Sequence, residues 1–264
     1  MDATTPATDD TATTSGHYLR WSRTPAAGLL FLLPWLALYE LAILTGSDPS
    51  TLRNPAESWL RRSLLDAGGQ WPWLLPTLVA GSLLIWHGVV RYRFGAAERV
   101  DSRGSLLAGM LGESAFFAAV LVFAGQLSHA ALAEGTLLSL STSPDGPGAW
   151  AAACLGAGIY EEVLFRLWAV PAVYFGLRLF VVPPPAAIIA SLASTSILFA
   201  TMHYTRSELM DCDAVLLIGF AFRCVAGLVF ATLFWLRGFG IAVGTHVLYD
   251  AMIVTVTAIQ HPDV

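Results

Sequence analysis

Glu161 and Glu162 stand side by side inside an apolar stretch, with Arg166 a few positions on. Two later apolar stretches each carry a histidine, His203 and His246, and Asp250 follows His246 by one helical turn. Carboxylates and imidazoles hold or move protons near neutral pH, so together they can activate water, receive a developing charge or bind a cation. In the hydrocarbon layer such groups cost roughly 2.5–3.5 kcal/mol each on insertion scales, and they mark function by default. Six ionisable side chains on three segments, Arg166 included, read as a site assembled inside a membrane.

Spacing divides their roles. On an α-helix successive residues point about 100° apart, so Glu161 and Glu162 are not expected to face one cavity. Glu162 and Arg166 are four apart and can pair on one face, which fixes the helix rotation and leaves Glu161 to turn toward a partner helix. Glu161 is thus the candidate for chemistry, with Glu162 and Arg166 as its scaffold. His246 and Asp250 share a face at the same spacing, so the carboxylate can orient the imidazole and select its tautomer. Phe199 stands one turn before His203. Each group alone also has a structural reading: a Glu–Arg pair pinning two helices, an interfacial histidine on a loop carbonyl, a histidine–aspartate hydrogen bond. Their arrival together from three spans is what points to a site.

The elements that must carry these groups are apolar helices. The chain is 56% hydrophobic and 12% charged, with a mean hydropathy of +0.64. A soluble domain carries about twice that share of charge. Runs long enough to cross a bilayer are expected near Ala26–Gly46, Trp71–Tyr92, Gly104–Ser128, Ala149–Val170, Pro184–Tyr204, Ala214–Leu236 and Phe239–Ala258. His129–Ser141 and Pro171–Val182 are shorter and suit re-entrant or interfacial helices. The expected fold is an all-α, polytopic transmembrane bundle of about seven to eight spans.

Residues 1–25 read as a disordered cytoplasmic tail, with Asp2, Asp9 and Asp10 where a signal peptide would be basic. The first hydrophobic span is therefore expected to be retained. Residues 26–148 form the N-terminal helices, and within them Ser47–Gln70 mixes Trp59, Leu60, Leu64 and Leu65 with Arg61, Arg62 and Asp66, as an interfacial helix does. Residues 149–258 form the core that holds the candidate site, and 259–264 a short tail. Arg91, Arg93, Arg99 and Arg103 are the densest basic cluster and belong in the cytoplasm by the positive-inside rule. All 14 basic residues are arginine, and no basic, aromatic-interleaved stripe suited to nucleic acid exists. Cys154, Cys212 and Cys224 have no metal or redox spacing and read as small hydrophobes.

The sequence Glu161-Glu162-Val163-Leu164-Phe165-Arg166 resembles the EExxxR motif of the CAAX protease and bacteriocin-processing (CPBP) family of intramembrane endopeptidases. Phe199-Ala200-Thr201-Met202-His203 is similar to its FxxxH motif, and His246-Val247-Leu248-Tyr249-Asp250 to its HxxxN/D motif. The resemblance covers Ala149 to Ala258 and keeps the motif order. It implies a glutamate-dependent endopeptidase acting on a membrane-associated protein or peptide within the lipid bilayer. In that reading Glu161 and His203 activate water, and His246 with residue 250 stabilises the oxyanion. Many members have Asn at the last position. An ionised Asp250 cannot donate to an oxyanion, so either burial keeps it protonated or it only orients His246, and orientation is the expected role here. The resemblance implies no cofactor, and the short acidic tail with its all-arginine usage suggests a bacterial cytoplasmic membrane.

Other readings of the same residues exist. Glu161, His203, His246 and Asp250 are acceptable zinc ligands, although no HExxH motif is present, so a membrane zinc metalloprotease is the alternative enzyme. Intramembrane Glu, His and Asp also build transporters, and Glu40 and Glu113 would extend such a path. Snorkelling or helix–helix hydrogen bonding is the simpler expectation for those two. A bacteriocin-immunity scaffold is a third reading, against which stands the retention of all three motifs.

Overall fold

A computed structural model describes residues 17–45, 53–66, 68, 74–94, 102–130, 147–211 and 213–260. The described elements are all helical: α1 (Pro25–Thr45), α2 (Pro55–Asp66), α3 (Leu75–Phe94), α4 (Arg103–Ala130), α5 (Pro147–Gly156), α6 (Val170–Leu179), α7 (Pro184–Thr201), α8 (Arg206–Asp211), α9 (Ala214–Arg237) and α10 (Phe239–Gln260). Between α5 and α6 the chain stays helical but widens into two π-helical segments, Ala157–Glu161 and Val163–Ala169. Helix α1, residues Arg103–Ser128 of α4, α7, α9 and residues Phe239–Ile259 of α10 are long and apolar enough to cross a membrane, and Leu75–Val89 of α3 is a shorter apolar helix. Several such helices in one chain make an integral, multi-pass membrane protein.

The helix starts follow from local chemistry. Proline at the first position of α1 and α2 sacrifices an N–H that would have no partner there. Thr24 caps α1 through its hydroxyl, which accepts from the Ala27 N–H at 3.2 Å. Asp213 caps α9 by accepting from Leu216 at 2.6 Å. Helix α9 ends at Gly238, whose φ of 96° is open to glycine, and α10 begins at the next residue.

Helix α10 is the axis of the bundle. It packs on α4, α1, α9, α5 and the first π segment. More than half of its apolar window is buried inside the protein (56%), against 39% or less in the other four candidate spans, whose outer faces are left to lipid. Gly158 permits the closest approach, because a Cβ there would lie 2.7 Å from the Val247 backbone nitrogen. Small residues at such crossings let membrane helices come together without a hydrophobic driving force.

Several expectations change in detail. The segment read as one span near Ala149–Val170 is a chain of α5, two π segments and α6, and the piece expected separately at Pro171–Val182 continues it. Helix α2 fills the centre of the expected interfacial segment, but buries Glu57 and caps its start with a buried Asn54. Residues 17–22, expected within a disordered tail, are helical. Tyr18 and Arg237 both donate to Glu113 Oε2, at 2.6 and 2.7 Å. Glu113 is therefore a helix–helix hydrogen-bonding group, as is Glu40, which accepts from the Tyr160 hydroxyl at 3.0 Å. Residues 1–16, 131–141, Cys212 and 261–264 lie outside the described residues.

Candidate active site

The two π segments carry Glu161 at the end of the first and Arg166 within the second, with Glu162 at their junction. A π turn bonds i to i+5 and is wider than an α turn, and such bulges cluster at functional sites. The widening bears on the expected division of faces, because both glutamates here meet the same imidazole. Glu162 Oε1 lies 2.8 Å from His246 Nδ1, and Glu161 Oε2 lies 3.9 Å from His246 Nε2.

Glu162 and Arg166 form the expected pair at 3.1 Å, and both side chains are buried. A buried ion pair needs its remaining hydrogen-bonding capacity met, and here it is met in part: Arg166 Nη1 and Glu162 Oε2 have no hydrogen-bond partner among the described residues. Arg166 donates from Nη2 to the Gly227 carbonyl of α9 at 3.0 Å. Its guanidinium lies 4.5 Å from the Phe199 ring centroid, with the Phe165 and Phe230 rings at 5.7 and 5.5 Å. Aromatic faces attract a desolvated cation. Phe199 thus holds Arg166 through its ring and His203 through its carbonyl, which accepts from Nδ1 at 2.7 Å.

That bond selects the tautomer of a neutral His203. With its proton on Nδ1, the neutral ring presents an Nε2 lone pair, 3.7 Å from Glu161 Oε2. His246 is held differently. Its Nδ1 donates to Glu162, and its ring stacks on Phe230 at 4.5 Å between centroids and 12° between planes. Asp250 Oδ2 stands 3.7 Å from His246 Nε2, beyond hydrogen-bond distance. The carboxylate that orients His246 is therefore Glu162, at the junction of the two π segments, and not Asp250, which the shared face suggests.

Glu161, His203, His246 and Asp250 converge from three parts of the chain, as their pattern anticipates. Glu161 Oε2 is buried and accepts no hydrogen bond from any described residue, whereas Glu161 Oε1 accepts from Asn54 Nδ2 at 3.2 Å. His203 is the most open of the four, at 30% side-chain exposure against 13% for Glu161, 15% for Asp250 and 5% for His246. Among the described residues, no group of three or more His, Cys, Asp and Glu side chains has the geometry to hold a metal ion. Sequence reasoning missed Asn54 and Phe230. An N-cap signal, Asn-Pro ahead of Ala-Glu, marks Asn54 as a helix start but says nothing of its distant partner.

Residues 144–252 match the family described as type II CAAX prenyl endopeptidase Rce1-like. No curated protein and no solved structure matches the chain.

Proposed function

From the match of residues 144–252 to this family of proteases we propose that the chain is a glutamate-dependent endopeptidase whose site lies within the membrane. The supporting observation is the unpartnered Glu161 Oε2, facing His203 Nε2 at 3.7 Å and His246 Nε2 at 3.9 Å. Both separations exceed a direct hydrogen bond and suit an oxygen species shared between the groups.

In the proposed reaction a water donates one hydrogen to Glu161 Oε2 and the other to the Nε2 lone pair of His203. Two acceptors then hold its hydrogens while an oxygen lone pair attacks the scissile carbonyl carbon. Glu161 takes the proton as the carbon–oxygen bond forms. The carbonyl oxygen becomes an oxyanion and meets His246 Nε2. With Nδ1 bonded to Glu162, a proton on Nε2 lets His246 donate to that oxyanion as an imidazolium. Collapse of the tetrahedral intermediate breaks the C–N bond, and Glu161 passes its proton to the departing amine. Asp250 in this reading supplies charge to His246 rather than a hydrogen bond to the oxyanion.

The substrate is a membrane-associated protein or peptide, and the host compartment a bacterial cytoplasmic membrane crossed about seven to eight times. The test compares peptide termini in membranes of cells expressing the parent or Glu161→Gln. Termini that appear with the parent and vanish with the variant support proteolysis and identify the substrate class. Equal patterns from equally expressed proteins, in a host whose parent-specific cleavage is measurable, reject Glu161 as the base.

A further inference from the structure

We propose that Asn54 is a positioning residue for the Glu161 carboxylate, supplied by the N-terminal half of the chain outside the matched residues 144–252. The inference rests on the reading of Glu161 as the base. Asn54 Nδ2 donates to Glu161 Oε1 at 3.2 Å from 107 residues away in sequence. With that oxygen held, Oε2 is the one that faces His203 and His246. The terminal torsion of a glutamate is broad, so holding one oxygen fixes the plane of the carboxylate and with it the direction of the other oxygen.

The amide itself has one orientation available. Asn54 is the N-cap of α2, and its Oδ1 accepts the Ala56 N–H at 2.8 Å. Committing the oxygen to the cap turns the amide nitrogen toward Glu161. The residue is 8% exposed, so water competes poorly for either end. Three residues on, Glu57 is fully buried and takes hydrogen bonds from Tyr39 of α1 and from Arg53 and Arg61. That anchorage ties the first turn of α2 to α1. At the end of α5, a Cβ on Gly156 would lie 2.8 Å from the Tyr39 ring and 3.0 Å from the Asn54 Cβ, so α5 closes directly on both. Helices α1, α2 and α5 together press one amide against one carboxylate oxygen.

Two substitutions separate this role from a purely structural one. Asn54→Ser and Asn54→Asp both keep an oxygen competent to cap α2. Serine loses the donor to Glu161, and aspartate replaces it with a like charge. Rates are measured per folded molecule on the peptide identified by the termini comparison, with Glu161→Gln in parallel. The serine variant is expected to lose about tenfold in kcat, and the aspartate variant more, because a hydrogen bond to a charged group is lost or reversed. KM is expected to stay at the parental value, because a positioning role acts on the Glu161 carboxylate and not on the substrate. Parental kcat in the aspartate variant overturns the proposal, and so does a rise in KM alone. A loss of folded protein with unchanged kcat per folded molecule would also overturn it, leaving Asn54 as a cap. If Glu161→Gln cleaves normally, the base assignment itself fails. If it is inactive while Asn54→Asp is parental, the positioning role alone fails.

Discussion

At the scale of single residues, Glu162 carries more than its spacing suggests. The i,i+4 pairing with Arg166 is legible from the sequence and present at 3.1 Å. The same carboxylate oxygen also holds His246 at 2.8 Å, so one buried group joins the cation to the imidazole. Removing either member of the pair strands a charge among aromatic rings. Glu162→Ala and Arg166→Ala should each cost about 3–5 kcal/mol of stability, the range for breaking a buried pair from one side. Thermal unfolding in detergent measures this, and activity should fall alongside. A variant as stable as the parent but inactive would make the pair catalytic and not a scaffold. Asp250→Asn is expected to behave otherwise. Glu162 already orients the ring and Asp250 stands 3.7 Å from it, so the variant should keep kcat within about tenfold of the parent. Complete loss of cleavage, with the protein still folded, would mean that the negative charge at 250 is indispensable.

At the scale of elements, the motifs were readable because each lies within one or two helical turns. Glu161 to Arg166, Phe199 to His203 and His246 to Asp250 are all local pairings that helical periodicity exposes. What periodicity could not expose was a change of period. An assumed 100° step separates Glu161 from Glu162, and the π segments at Ala157–Glu161 and Val163–Ala169 replace that step with a wider turn. Nor does any local pattern link Asn54 to Glu161, which only the packing of α2 against the first π segment brings together. The crossing of that π segment with α10 is the corresponding point of vulnerability. In Gly158→Ala the new methyl would lie 2.3 Å from Val247 Cγ2 and 2.7 Å from its backbone nitrogen, so α10 must shift. Overpacking of this kind costs about 1–3 kcal/mol, and His246 moves with its helix. Displacements of about 1 Å cost up to about 100-fold in rate, so activity should fall much further than stability. Paired unfolding and cleavage assays on this variant would check it, and activity at the parental level would show that α10 can move without disturbing the site.

At the scale of the whole molecule, hydropathy identified the class of protein more securely than the number of its crossings. Helices α1, α4, α7, α9 and α10 meet the length and apolarity of a span, while the segment from α5 to α6 is helical throughout yet interrupted by its site-bearing π turns. The sequence also places residues 17–22 in a tail, because their few apolar side chains show no run long enough for a span. Their order comes from a distant partner. Tyr18 donates to Glu113 of α4, and Arg237 at the end of α9 joins the same carboxylate while donating to Ser22 at 2.9 Å. This clamp lies away from the cluster around Glu161, so it should control stability without entering the chemistry. Burial first, and then the Glu113 carboxylate, push the Tyr18 hydroxyl above its ordinary value, and the opposing Arg237 does not offset them. A folded-state pKa above the unfolded one gives a contribution that is complete below the unfolded value of about 10 and is lost as pH rises beyond it. The parent should therefore lose thermal stability between pH 9 and about 11 more steeply than Tyr18→Phe, which is less stable at neutral pH but has no phenol to ionise there. Unfolding midpoints of both proteins in detergent across that range give the comparison. Parallel curves would mean that the phenol ionises as freely in the folded protein as in the unfolded chain, and that the clamp rests on Arg237 and Glu113 alone.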